Sequence, residues 1–273
     1  MGARAVVIGV SGRMGRALVR VAHEFPEVRI TGAVASAGSG SLGSDAGVLA
    51  GVEPLGIEVT SDLSAALEAA DVAIDFSQPN ATRANIAACR AARKPLLIGT
   101  TGFAAEVSEP ELVAAARDIA LLVAPNTSLA VALLADLVRR AAQTLPAEFD
   151  IEIIEAHHRM KRDAPSGTAL ALARAAGEGR HQAPDEAVSR ASAPRLGARR
   201  QGDIGFASVR AGDIVGEHTV LFAGSGEELR LSHRAGDRAI FARGALRAAL
   251  WLLGKPPGRY GMIDIVHADH ALR

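Results

Sequence analysis

Short apolar runs separated by Ala-rich helical stretches dominate the first half of this chain, and few architectures accommodate that alternation. Residues 5–10 form a continuous β-run and residues 13–24 have helical spacing. Residues 28–35, 72–76, 95–98 and 119–124 are further short apolar strands, with helices over residues 81–93 and 110–118. Strands lacking polar alternation must be buried on both faces. The pattern therefore predicts a Rossmann-like α/β domain, a doubly wound parallel sheet covered by helices on each side. After Pro125 the texture changes: a helix over about residues 129–144, an alternating strand FDIEIIEA at 149–156, and a helix over 166–179 with Ser166 as candidate N-cap. Three strand-like runs follow near 205–210, 218–223 and 228–234 without helices between them, which predicts a smaller α+β region with a mixed or antiparallel sheet. A last helix over 239–253 stops at Gly254, with Pro256 and Pro257 close behind.

Only 3% of the 273 residues are aromatic, so Ala, Val, Leu and Ile must fill the core. Thirty basic residues balance thirty acidic ones, which argues against a nucleic-acid footprint. The single cysteine, Cys89, excludes an internal disulfide and a cysteine-clustered metal site, and it reads as a small apolar helix residue. No apolar run approaches the roughly 18 residues of a membrane span, and residues 5–10 run straight into a glycine turn, unlike a signal peptide. Small neutral or anionic partners remain open, and the cytoplasm is the expected location. Residues 179–203 form a weakly patterned stretch carrying Arg190, Arg195, Arg199 and Arg200, which suits a solvated loop, an intersubunit contact or a basic patch.

The turn Gly9, Val10, Ser11, Gly12, Arg13, Met14, Gly15 joins the first strand to the first helix. Glycines there let the backbone approach a pyrophosphate, whose charge meets the free amides and positive end of the helix. A purely structural glycine turn is the competing reading. Strand, glycines, helix and second strand arrive in the order that a dinucleotide site requires. At the end of the second strand an acid would hold the ribose diol of NAD, and a basic residue would favour the extra phosphate of NADP. Ser36 and Ala37 supply neither, while Arg13 and Arg16, in the first helical turn, could still reach phosphates, with a plain surface residue as the competing reading of Arg16. IGTTGF, with Gly99, Thr100 and Thr101, and APNT, with Ala124, Pro125, Asn126 and Thr127, each follow a strand of the same sheet, where open α/β sheets bind ligands.

EAHHRMKRDAPSGTA, residues 155–169, brings two histidines and a lysine up to a helix start. At a strand end His157 and His158 point to opposite sides, so they divide tasks. Lys161 follows, and Ser166, Gly167 and Thr168 open a helix whose free amides suit a carboxylate. The pair does not read as zinc-binding, since adjacent strand positions diverge and no third ligand accompanies them at helical spacing. His218 and His233 carry no distinctive constellation and read as structural.

That motif, together with VIGVSGRMGRAL at 7–18, GSDAG at 43–47, IGTTGF at 98–103 and GFASVRAGDIVGEHTVLFA at 205–223, resembles the blocks of the 4-hydroxy-tetrahydrodipicolinate (dihydrodipicolinate) reductase family, in order along essentially the whole chain. The resemblance implies reduction of 4-hydroxy-tetrahydrodipicolinate to tetrahydrodipicolinate by NADH or NADPH in lysine biosynthesis through diaminopimelate, without a metal. It implies His157 as acid/base, Lys161 as proton donor, and His158, Gly167 and Thr168 as contacts to a cyclic dicarboxylate. Gly99, Thr100, Thr101 and residues 124–127 would line the nicotinamide and ribose pocket. The implied layout is a dinucleotide domain of residues 1–127 and 237–273, and a substrate and tetramerisation domain of 128–236 whose sheet builds a homotetramer. Family members commonly carry an acid and then an arginine where Ser36 and Ala37 stand, so dual use of NADH and NADPH is expected. Another Rossmann oxidoreductase, such as an amino-acid dehydrogenase, would explain the glycine turn but not the HHxxK and SGT combination. A non-catalytic nucleotide sensor would tolerate loss of His157 and Lys161, yet both are present.

Overall fold

A computed structural model describes residues 2–183 and 199–268. The chain divides into two compact units, Met1–Leu129 with Ala239–Arg273, and Ala130–Arg238.

The first unit contains β1 (Ala3–Ile8), α1 (Arg13–Val21), β2 (Val28–Val34), α2 (Ala46–Ala50), β3 (Val59–Thr60), α3 (Leu63–Glu68), β4 (Val72–Asp75), α4 (Thr82–Ala91), β5 (Leu96–Ile98), α5 (Glu109–Ala116) and β6 (Ala120–Val123). The strands join one parallel sheet whose order places β4, β5 and β6 on one side of β1, and β2 and β3 on the other. The chain thus reverses its winding between β1 and β4, the switch point at which such sheets bind ligands. Val6, Ile8, Ala73, Leu96, Ile98 and Leu121 pack with Ile86, Cys89 and Leu112 of the helices, and Ala5, Val7, Ile74, Leu97 and Leu122 at the alternate positions are buried too, so the strands lack a wet face. Burial raises the Cys89 thiol to about 12, which leaves it inert.

Sequence pattern did not anticipate α2, β3 and α3, all too short for periodicity to register. Asp45, from the GSDAG block, holds this region: its carboxylate accepts amides from Gly47, Val48, Leu55 and Ile57. Those bonds, Leu55's first, keep it down at about 2.

The second unit holds most of α6 (Leu129–Thr144), then β7 (Asp150–His157), α7 (Gly167–Gly179), β8 (Ile204–Arg210), β9 (Gly216–Ala223) and β10 (Glu228–Ala235). The sheet is mixed, with β7 parallel to β8 and antiparallel to β9, which pairs antiparallel with β10. Ile151, Ile153, Val220 and Phe222 pack against Leu134, Val138, Leu172 and Ala176 on the helices. Alternate residues of β7 face the other way, so this sheet has one buried side and one open side.

Two segments then return to the first unit. Helix α8 (Ala239–Leu252) packs against α1, and its Phe241 carbonyl accepts the Thr127 hydroxyl at 2.6 Å. Gly254, with φ of +77°, follows the helix as the expected stop. Strand β11 (Gly258–Tyr260) then pairs in parallel with β6 and completes a seven-stranded sheet, before α9 (Met262–Ala268). Three residues of strand after two prolines left no sequence signal.

Candidate active site

In the first unit, register gathers the sequence-predicted nucleotide residues. Ile8 lies opposite both Val34 and Asp75, Asp75 opposite Ile98, and Ile98 opposite Val123. The loops bearing Gly9, Ser36, Gly99 and Ala124 therefore leave the sheet side by side along one carboxyl edge. Gly9 has φ of +83°, and a Cβ there would stand 2.5 Å from the Phe76 carbonyl oxygen. A Cβ on Gly15 would stand 2.3 Å from the Gly9 carbonyl oxygen, so only glycine lets α1 start this close to the turn. Gly12 is the N-cap of α1 and brings no side chain to its amides, leaving the helix start for an anionic ligand. This cradle fits a dinucleotide pyrophosphate, with Gly9, Val10, Ser11, Gly12, Arg13 and Met14 to hold it. Arg13 is exposed, whereas Arg16 Nε donates to the Ser11 carbonyl at 3.1 Å and so braces the turn. Ser36 and Ala37 are exposed beyond β2.

Two threonine hydroxyls of these loops, those of Thr100 and Thr127, are turned inward. Thr100 is 4% exposed and its Oγ1 lies 3.2 Å from Asp75 Oδ1, while Thr127, 1% exposed, bonds to α8. Asp75 itself is wholly buried. It accepts the Ser77 amide at 2.8 Å and the Asn85 side-chain amide at 3.1 Å, and so ties the loops after β4 and β5 together. Thr101 and Pro125 are exposed, Gly99 and Ala124 buried, and Asn126 Oδ1 accepts the Ser128 amide at 2.9 Å.

In the second unit, the end of β7 carries the proton-handling groups. His157 is its last residue and lies on the buried side; His158, just beyond, is half-buried. His157 Nδ1 lies 2.5 Å from Glu155 Oε2, and Glu155 is completely buried. Arg210, opposite His157 on β8, grips that carboxylate with both terminal nitrogens, Nη1 to Oε2 at 2.9 Å and Nη2 to Oε1 at 2.6 Å. Burial pushes the Glu155 carboxyl up, but the bonds from Arg210, Ser208 and His157 outweigh it and hold it below the usual range. Burial lowers the His157 imidazole, and its bond to Glu155 offsets only part of that.

His218, read from sequence as structural, belongs to this cluster. It lies opposite Glu155 on β9, its ring meets His157 edge-on with centroids 5.1 Å apart, and its Nε2 is 3.0 Å from the Ser166 hydroxyl. Burial first, then the charge of His157, lowers it to about 4. Ser166 in turn caps α7, accepting the Ala169 amide at 3.1 Å. Gly167 is exposed at the helix start with open space at its Cβ position, and Thr168 is half-buried beside it. Lys161 Nζ pairs with Asp163 Oδ1 at 2.9 Å. The loop thus brings Lys161 and the amide-rich helix start to the same end of the sheet as His157.

Glu155, His157 and His218 also place one ligand atom each within 4.8 Å of one another, a third partner that adjacent strand positions did not reveal. Arg210 already occupies both carboxylate oxygens, so a cation would have to displace a bonded positive group. Glu155 and Arg210 both stood in recognised blocks; the i, i+2 spacing of Glu155 and His157 was the signal that they share a face.

Arg190 and Arg195 lie outside the described residues. Arg199 is no solvated charge: it donates to the Ile151 and Asp203 carbonyls at 2.7 and 2.6 Å and pairs with Glu152 and Asp150 of β7. Arg200 is exposed.

Two family models match the chain, one described as Dihydrodipicolinate reductase, N-terminus, over residues 3–127, and one as Dihydrodipicolinate reductase, C-terminus, over residues 130–266. A 4-hydroxy-tetrahydrodipicolinate reductase from Parvibaculum lavamentivorans is 50% identical over 262 residues, 96% of each chain. Another from Anaeromyxobacter dehalogenans is 47% identical over 263 residues, 96% of this chain and 97% of the relative. Among solved structures, dipicolinate-bound dihydrodipicolinate reductase from Paenisporosarcina sp. TG-14 has a TM-score of 0.75 at 24% identity, covering 96% of this chain and 98% of that one. An amine dehydrogenase from Mycobacterium smegmatis has a TM-score of 0.60 at 16% identity, covering 97% and 96%. At those identities the likeness is one of fold. With both halves matched and close to half of all positions identical to these relatives, the chain belongs to the dihydrodipicolinate reductase family.

Proposed function

We propose that this chain reduces 4-hydroxy-tetrahydrodipicolinate to tetrahydrodipicolinate in lysine biosynthesis through diaminopimelate. The buried Glu155, His157 and His218 cluster beside Lys161 and an anion-binding helix start carries this reading, alongside family membership. When bound, reduced nicotinamide supplies the hydride that reaches C4, and the 4-hydroxyl departs as water. The substrate, the reduced nucleotide and one proton give the product, the oxidised nucleotide and water, so the protein must manage a single proton.

Lys161 supplies that proton. Its ammonium is held by Asp163 next to the helix that receives a ring carboxylate through Gly167 and Thr168. His157, kept neutral by burial, is the acid/base group, and His158 contacts substrate. The Gly9 to Met14 turn and the loops at Gly99–Thr101 and 124–127 hold the nucleotide, chiefly through backbone in the case of Thr100 and Thr127, whose hydroxyls serve the fold. Without an acid or a base at Ser36 and Ala37, neither NADH nor NADPH is excluded, and their catalytic efficiencies should agree within about tenfold, or about 1.4 kcal/mol.

Assembly as a homotetramer fits the second unit's sheet, whose open side exposes Ile154 and Val209 at 36% and 46%. No described helix is long and apolar enough to cross a membrane, and a cytoplasmic enzyme is the reading adopted. Oxidation of NADH and NADPH on mixing with the product of dihydrodipicolinate synthase tests the activity; pyridine-2,6-dicarboxylate should compete with substrate. No oxidation of either nucleotide would reject the assignment, and a preference of a hundredfold or more would reject dual use.

A further inference from the structure

Cross-strand register decides what surrounds His157. Glu155 and His157 project from one side of β7, with Ser208 and His218 flanking Glu155 and Arg210 flanking His157. Gly216 lies beside the ring, where a Cβ would stand 3.1 Å from Nε2. A wholly buried carboxylate needs a counter-charge, and the Arg210 fork supplies it. The same Oε2 that takes Nη1 also faces His157 Nδ1 at 2.5 Å. An ionised carboxylate only accepts, so the ring proton belongs on Nδ1 and the Nε2 lone pair is left available. Arg210 does one thing more: Nη2 donates to the Asp163 carbonyl at 2.6 Å, in the loop between Lys161 and the Ser166 cap.

We propose that Glu155 and Arg210 are positioning residues for the reductase reaction. Glu155 holds His157 as the Nδ1–H tautomer with Nε2 as its accepting nitrogen, and Arg210 fixes that pair to the loop carrying Lys161. The inference rests on the reading that His157 and Lys161 handle the proton. His157 is faced by Glu155 from its own strand, Arg210 from β8, His218 from β9 and Lys161 from the loop. Replacing Glu155 by Gln withdraws the anion bonded to the ring and leaves the cations. His157 then gains its proton only at lower pH, and its tautomer is no longer enforced.

Long-range proton–nitrogen correlation spectra of histidine-labelled wild-type protein, assigned through His157→Asn, should show protonated Nδ1 and bare Nε2 near neutral pH. Glu155→Gln should lower kcat about a hundredfold, within the range general acid–base catalysis contributes, with KM for the nucleotide unchanged and the acid limb of the pH profile moved to lower pH. Arg210→Lys, which keeps the charge but loses the fork, should lower kcat less. A wild-type Nε2–H tautomer at His157 overturns the proposal, as does Glu155→Gln with wild-type kcat, or with lower kcat and an unmoved acid limb. If Glu155→Gln does not fold, the wild-type tautomer and Arg210→Lys decide. The tautomer is read without turnover, so a protein inactive on hydroxy-tetrahydrodipicolinate would sink the functional reading separately.

Discussion

Replacing Ser166 by Ala should weaken the second unit by about 3 kcal/mol, through two losses that can be separated. The hydroxyl caps α7 through the Ala169 amide, a contribution of about 1 kcal/mol. It also pairs with His218 Nε2, and its removal leaves that buried nitrogen without a partner, which costs about 1–3 kcal/mol. His218 Nδ1 is already buried and has no hydrogen-bond partner among the described residues, so the ring has no second bond there to fall back on. For a unit spanning Ala130–Arg238, at about 2.1 cal/mol/K of unfolding entropy per residue, the sum corresponds to a fall in Tm of roughly 13 °C by scanning calorimetry. Gly at an N-cap loses only a few tenths of a kcal/mol against Ser, so Ser166→Gly should recover most of the capping part and none of the His218 part. His218→Phe removes both orphaned nitrogens. Ser166→Ala combined with His218→Phe should then be less damaging than the sum of the two by about 1 kcal/mol or more. Strict additivity, or a loss under about 0.5 kcal/mol for Ser166→Ala, would refute the claim that the hydroxyl links the helix start to the histidine cluster.

Acid should destabilise the protein through His218. Its folded value of about 4 lies below the ordinary 6.5, so as pH falls through that window the unfolded chain binds a proton that the folded one refuses. Stability is unaffected above the window and declines across it by up to about 3 kcal/mol; His218→Phe should flatten the profile of Tm against pH, and an equal slope in both proteins would count against it. Lys161→Ala should reduce kcat by about 10²- to 10⁴-fold while nucleotide affinity, measured by fluorescence titration, stays at the wild-type value; wild-type turnover would remove Lys161 from the mechanism.

The sequence was most legible where one residue type has one physical use. Unbroken apolar runs implied a two-sided sheet, a glycine turn implied a close helix start, and Ser before Gly-Thr implied a cap. Each of these depends on neighbours along the chain. What remained hidden depends on neighbours across strands: His218 meets Glu155 only because β9 runs antiparallel to β7 at that register, and Arg210 reaches the same carboxylate from β8. The orientation of Thr100 was likewise invisible, because Asp75, which attracts its hydroxyl, lies on another strand. Elements of two to six residues, such as β3, α3 and β11, owe their form to the sheet or helices they touch rather than to their own composition.

The pairing of β11 with β6 has a consequence for how the protein is made. Strand β6 is synthesised early, but its outer edge stays unpaired until the ribosome has produced the whole second unit, α8 and then β11. During that interval the nascent chain presents a short apolar strand edge, the kind of template that recruits foreign strands. Closure of the first unit's sheet is therefore a late and non-local event, and yield in the cell should depend on how well that edge is shielded until translation is nearly done.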